Sequence, residues 1–288
     1  MSIILPRRFS SAQSPPYPLI SAYSVSVGSA FQVVSNEVFF SVADDGTQMY
    51  LCRNLSNVQQ RLLSPAWNEQ TTATTTGVWT GYGRALPTPA NSSDTATSPR
   101  SFHVAGNGTR LIAGGPVSTQ SNKHYIGSWK LNTKNDTDSD PYPSSAVFQD
   151  RVRCENITGF ALDRDLRNLR VKSDGTTLIC RDATSGSWRQ LNFGTPWVTT
   201  TLSDAGVAKN PANNGIGFIE PNGQFLYCHN SSRIYQYEMT TKWDLSTLNT
   251  THRSLITGMP SVMRGFHVDK VHLLTYNSSG AVQHWKTP

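Results

Sequence analysis

A turn that recurs along the chain constrains its fold more than any other feature. It reads "ADDGTQMYLC" at 43–52, "AGNGTRLIAG" at 105–114, "KSDGTTLICR" at 172–181 and "EPNGQFLYCH" at 220–229. In each copy an Asp-Gly or Asn-Gly pair supplies the positive-φ positions of a tight hairpin, with strand-forming residues on both sides. A degenerate fifth copy, "HVDKVHLLTY" at 267–276, has Lys270 where the others have glycine. The strand before the turn repeats too, as "VFFSV", "SFHVA", "NLRVK", "IGFIE" and "RGFHV". Further on, "VQQRLLSPAW" (58–67), "WRQLNFGTPW" (188–197) and "IYQYEMTTKW" (234–243) align without gaps, Trp on Trp. "IGSWKL" (126–131) and "VQHWK" (282–286) fit the same strand in the other two copies. Tyr235, Tyr237 and Met239 alternate with Gln236 and Glu238, and that period of two makes these segments strands.

The turns follow one another at spacings of 62, 67, 48 and 47 residues. A repeat of about 47 residues offering about four short strands matches a β-propeller blade. Two insertions account for the long spacings: "TPANSSDTATSP" (88–99), and "NTKNDTDSDPYPSS" (132–145) together with "LDRDLRN" (162–168). Such insertions often lie on a binding face. The fifth copy ends after its third strand at "HWKTP", and the alternating segment "LISAYSVSVGS" (19–29) can supply its outer strand, which would remove two open sheet edges. The expected fold is therefore all-β: a single β-propeller over residues 18–288, of five blades with four antiparallel strands each, closed by an N-terminal strand. Six blades, with a degenerate one within 132–168, is the alternative. Residues 1–17, "MSIILPRRFSSAQSPPY", are expected to form an extended Pro-rich arm outside the ring.

Only 15% of the residues are charged, and Ser, Thr, Asn, Gly and 16 Pro are abundant, a profile of short strands joined by polar turns. No apolar run approaches the roughly 18 residues a membrane span needs, so no membrane insertion is expected. The first residues do not read as a secretory signal, because their apolar part precedes Arg7 and Arg8 and is broken by Pro6. The net charge of +6 would favour an acidic partner, but the basic residues are scattered, and no nucleic-acid partner is expected. The four cysteines show no metal-ligand or redox spacing, so no cofactor and no metal site is expected. Cys180 and Cys228 share one slot, five residues after the turn glycine, where other copies carry Leu51, Ala113 and Thr275. They read as core positions in different blades rather than as a disulfide. Cys52 and Cys154 read as free thiols.

The combination FxxDGTxMY, a short turn, then (V/I)YQYxLxTPWDLST and a Ser-rich strand resembles a tandem β-propeller repeat of bacteriophage virion proteins and some bacterial surface proteins. "FFSVADDGTQMYLC" and "IYQYEMTTKWDLSTLNTTHRS" carry it best, with weaker copies at 102–131, 169–201 and 266–286. The resemblance implies a non-enzymatic structural component of a tailed bacteriophage virion, in its tail, a fibre or a head decoration. Such a protein would be assembled in the host cytoplasm, be present in multiple copies and attach to the host surface. Its implied partners are other virion structural proteins, reached through an arm that includes Pro6, Arg7, Arg8, Phe9, Pro15, Pro16 and Tyr17. A host cell-surface glycan is a further implied partner.

Direct reading of the chemistry adds two alternatives. Trp67, Trp197 and Trp243 follow equivalent strands and could be sugar-stacking platforms of a lectin-like propeller. Their tie to the repeat frame favours a role in sealing the gaps between blades. A five-bladed glycoside hydrolase would need carboxylates converging at the axis. Asp44, Asp45, Asp174 and Asp269 sit in turns, while Glu37, Glu155, Glu220 and Glu238 share no motif, so no catalytic residue is assigned. His252, His267, His272 and His284 follow no metal-ligand pattern, and His267 and His272 are expected on adjacent strands of one hairpin.

Overall fold

The computed structural model describes residues 25–26, 31–32, 39–42, 48–54, 57–62, 100–105, 109–117, 120–130, 147–160, 164–212, 215–269, 272–278 and 281–286. Two short strands, β1 (Val25–Ser26) and β2 (Phe31–Gln32), come first. A three-stranded sheet follows, β3 (Phe39–Val42), β4 (Gln48–Asn54) and β5 (Asn57–Leu62). The next has four strands: β6 (Ser101–Ala105), β7 (Arg110–Val117), β8 (Gln120–Lys130) and β9 (Val147–Arg153). Another four are β10 (Leu166–Val171), β11 (Thr177–Asp182), β12 (Trp188–Phe193) and β13 (Leu202–Lys209). Then come β14 (Ile216–Ile219), β15 (Phe225–Asn230), β16 (Arg233–Glu238) and β17 (Ser254–Thr257). The last sheet joins β18 (Met263–Val268), β19 (His272–Asn277) and β20 (Ala281–Lys286).

All the sheets are antiparallel meanders, the arrangement short connections favour. The first strands touch in order, β3 to β6, β6 to β10, β10 to β14 and β14 to β18, and β18 returns to β3. Small sheets set radially around one axis are a β-propeller. β1 pairs with β20 through Val25↔Lys286 and Ser26↔Trp285, so a segment from the start of the chain supplies the outer strand of the last sheet. Among the described residues three sheets have the four strands expected of a blade, the last has five because β2 also pairs with β20, and the sheet of β3 to β5 has three.

Two expectations are corrected. Leu166–Asn168, read as part of an insertion, opens β10. Val147–Arg153, placed within the stretch that could have hidden a sixth blade, is the outer strand of the β6–β9 sheet. Its neighbourhood is rich in turn-forming Asn, Asp, Ser and Pro, which masked a strand whose role is set by pairing with β8. The arm 1–17 and the segments 88–99 and 132–145 lie outside the described residues. No helix among the described residues is long and apolar enough to cross a membrane.

The core lies between sheets, because both faces of a blade are covered by neighbours. On β15, Phe225 and Tyr227 join the cluster with Phe266 and Leu273 of the following sheet, while Leu226 and Cys228 join the one with Ile179 and Trp188 of the preceding sheet. The alternation of Tyr235, Tyr237 and Met239 with Gln236 is real, but Gln236 is also fully buried. Its amide donates to the hydroxyl of Tyr227, its cross-strand neighbour on β15, at 3.2 Å, so a polar position of the strand period is satisfied within the buried sheet rather than by water. Cys180 and Cys228 are buried free thiols, as their shared slot predicts, and burial pushes the Cys228 thiol up to about 12.

Two blades approach closely at Gly217 on β14, where a Cβ would overlap the indole of Trp188, itself fully buried on β12. Gly217→Ala is expected to lower the stability by about 1–3 kcal/mol through overpacking, read as a fall in the urea midpoint. Combining it with Trp188→Leu should recover part of the loss relative to Trp188→Leu alone, because the two sites share one space.

Candidate functional site

The repeat motif builds a lock within two blades, those of β10–β13 and β14–β17. In the 172–177 turn, Gly175 has φ +74° and Asp174 accepts bonds from the Thr176 N–H (3.0 Å) and hydroxyl (2.6 Å). Glu220 does the equivalent work in the next blade, accepting from the N–H groups of Asn222, Gln224 and Phe225 at 2.6, 2.6 and 3.1 Å. Each turn is then capped by the tryptophan that follows the third strand. Trp197 (φ +67°) and Trp243 (φ +60°) donate their backbone N–H to the carbonyls of Gly175 and Gly223 at 3.1 and 2.8 Å. A Cβ on either glycine would overlap the indole. Only glycine leaves room for the ring and adopts the turn's φ without strain.

The segment after each tryptophan fixes the blade to its predecessor. Thr195 N–H donates to the Thr201 hydroxyl and Thr241 N–H to the Thr247 hydroxyl, both at 3.0 Å. These close the short 3-10 turns Thr199–Thr201 and Leu245–Thr247. The Leu245 N–H donates across the gap to Gln190 of β12 at 2.8 Å, and the Thr199 hydroxyl donates to Asp150 of β9 at 3.1 Å. Trp197 and Trp243 thus serve their own blade's turn first, and the threonine turn beside them makes the polar link between blades. Trp67 lies outside the described residues.

What does not repeat converges on the axis. The residue just before Val42, Val104, Val171, Ile219 and Val268 on the first strands is Ser41, His103, Arg170, Phe218 and His267, paired with Tyr50, Ile112, Ile179, Tyr227 and Leu274 respectively. All five are buried. Each of three leans on the next blade in chain order. His103 Nδ1 accepts the Val171 N–H at 3.1 Å, and Arg170 Nε donates to the Ile219 carbonyl at 2.9 Å. The Arg170 guanidinium lies 4.5 Å from the Phe218 ring centre, and the Phe218 ring lies 4.6 Å from the His267 ring. Two residues before His103 on the strand, the Ser101 hydroxyl accepts the Leu169 N–H at 2.6 Å.

Ser41, Ser101, His103, Arg170 and Phe218 border a cleft of about 480 Å³, including its open mouth, lined also by Asn168, Ile216, Arg264 and Phe266. Asn168 has φ +53° and sits in a bulge of β10, and a second bulge lies between Met263 and Gly265 on β18. Bulges at a rim re-aim side chains. Among the described lining residues none is acidic, whereas Arg170, Arg264 and His103 are basic. Burial, reinforced by the Arg170 charge, holds both His103 and His267 well below the ordinary histidine range, so both are neutral in the folded protein.

Carboxylates elsewhere have structural partners. Asp165 receives Arg100 (2.5 Å) and Arg167 (2.6 Å); burial opposes its charge, but the two guanidinium groups outweigh it and hold the carboxyl below its usual range. Asp182 receives Arg164 and Arg189, and Asp204 also receives Arg189. His272 and His284 face each other on β19 and β20, Nδ1 to Nε2 at 2.8 Å, and no group of three metal-ligating side chains occurs among the described residues. The axial position was missed in the sequence. Its signal was a slot that changes chemistry in every copy while its neighbours stay apolar.

No family model and no curated protein matches the chain. Solved structures resembling it include Kuenenia stuttgartiensis hydrazine synthase, at 12% identity and a TM-score of 0.46, covering 86% of this chain and 70% of that one. A functionally unknown protein from Desulfotomaculum acetoxidans aligns at 9% identity and 0.44, covering 86% and 69%. The β-propeller domain of Myceliophteria thermophila Cps50 (Swd1) aligns at 10% and 0.43, covering 95% and 100%.

Two outcomes are expected. Trp243→Ala should cost about 3–5 kcal/mol, and more than Trp197→Ala, because Trp243 is buried and Trp197 only half-buried, as urea unfolding would show. For His103 and His267, the unfolded chain takes up protons below about pH 6.5 while the folded one does not. Their neutral forms therefore stabilise the fold above that pH, and stability should fall by up to about 1.4 kcal/mol per pH unit for each as pH drops from 6.5 toward 5. His103→Asn should flatten that slope in urea titrations.

Proposed function

We propose that the protein is a non-enzymatic structural component of a tailed bacteriophage virion, a tail, fibre or head-decoration protein built as a single five-bladed ring. The carrying observation is that the residues behind the resemblance to virion repeats are spent on rigidity. Asp174-Gly175-Thr176 and Trp197 lock one blade, and the Trp243-Asp244-Leu245-Ser246-Thr247 segment docks the next on Gln190. Five sheets with first strands in cyclic contact, and β1 laid on β20, support one closed ring. A closed ring leaves no free edge between first and last blade and suits a module exposed on a particle.

In this reading the arm, with Pro6, Arg7, Arg8, Phe9, Pro15, Pro16 and Tyr17, docks on a neighbouring virion protein, because a Pro-rich segment loses little entropy on ordering. Deleting residues 1–17 should leave the thermal unfolding of the propeller unchanged and abolish its incorporation into particles, scored by immunoblotting purified virions. Normal incorporation of the truncated protein would overturn the arm's role, and absence of the full-length protein from particles would overturn the virion assignment.

A further inference from the structure

His103 has a tautomer set by its neighbours. Its Nδ1 accepts the Val171 N–H, so in the neutral ring the proton resides on Nε2. That Nε2 is buried and has no hydrogen-bond partner among the described residues, although His103 lines the axial cleft. A buried donor without an acceptor is costly and uncommon in a folded protein, and invites a bound acceptor. Among the described residues the surroundings are one-sided: Arg170 and Arg264 contribute positive charge, Asn168 an amide, and Ser41 and Ser101 hydroxyls. Because the Ser101 oxygen already accepts the Leu169 N–H, its own O–H remains to donate. Leu169, Ile216 and Phe266 add apolar wall. A wall of this kind at the open mouth of the cleft suits the C–H face of a pyranose.

We propose that the axial cleft binds the carboxylate of an acidic sugar unit, with His103 and Arg264 as the donors that distinguish it from a neutral sugar. Charge-assisted hydrogen bonds to a carboxylate are stronger than neutral ones, so the acid group dominates affinity and the hydroxyls orient the ring. The net charge of +6 favours approach of an anionic polysaccharide. The site does not depend on the virion assignment, since it rests on the ring axis alone.

Isothermal titration of the full chain with glucuronate, N-acetylneuraminate, glucose, acetate and an oligoglutamate peptide tests it. At least one acidic sugar should saturate at one per chain, with glucose and acetate each at least about tenfold weaker. Arg264→Ala, at an exposed rim position, should weaken acidic-sugar binding severalfold, and the His103 ring ¹⁵N resonance should shift on titration. His103→Asn keeps an acceptor for the Val171 N–H while removing the Nε2 donor, and should weaken binding about tenfold. If it does not fold, Arg264→Ala and the ring resonance decide. The proposal is overturned if neither acidic sugar saturates, if glucose or acetate binds as tightly, or if only the peptide binds. Binding indifferent to Arg264→Ala with no movement of the His103 resonance overturns it too.

Discussion

The first strand of each blade has a neighbour in its own sheet on one side only, and the backbone groups on its other edge face the axis. Buried amides there need partners as much as those of any ladder. The chain meets this demand with side chains from the preceding blade. Ser101 and His103 take the Leu169 and Val171 N–H groups, and Arg170 reaches forward to the Ile219 carbonyl. The axial slot is thus a joint between blades, and the rest of the ring depends on it, because sheets that failed to meet there would leave both an exposed edge and an unfilled centre.

Farther from the axis a different device takes over. The turn between the first two strands and the segment after the third are distant in sequence but meet when the blade folds, and the tryptophan ring on the turn glycine fastens them. The adjoining threonine turn then hydrogen-bonds to the previous blade. A short local motif therefore does two tasks at once, shaping a blade and setting its place in the ring. This explains why both Trp197 and Trp243 tolerate a positive φ that a bulky residue rarely adopts. The surrounding contacts over-determine that conformation.

The frame was readable from sequence because its signals are local. Asp-Gly and Asn-Gly demand a turn wherever they stand between strand formers, and the Cys180 and Cys228 slot could be read as core by comparing copies. The partner of the tryptophans was not readable in the same way. Their common spacing showed that they belong to the repeat, yet contact with Gly175 and Gly223 becomes visible only once strands are paired. Leu166–Asn168 was misread because Arg and Asp around it resemble loop composition, whereas its strand state comes from pairing with Arg181 and Asp182 of β11. The axial set was hidden for the opposite reason: Ser41, His103, Arg170, Phe218 and His267 share a position but no chemistry, so matching copies for likeness discards them.

That difference between slots follows from geometry. Outer positions of every blade meet equivalent surroundings, so a single solution can be used repeatedly. At the axis five strands converge on one volume, and five copies of one large side chain would not fit, nor would five like charges. The slot therefore has to be filled by unlike residues: a cation over an aromatic ring, that ring against an imidazole, and a small hydroxyl where space runs out. Asymmetry at the centre is a packing requirement of the ring before it is anything else. The same requirement places an arginine, two neutral histidines and a serine side by side in a buried setting. Polar groups gathered for packing in this way line the cleft, and the bulges at Asn168 and between Met263 and Gly265 lie beside them.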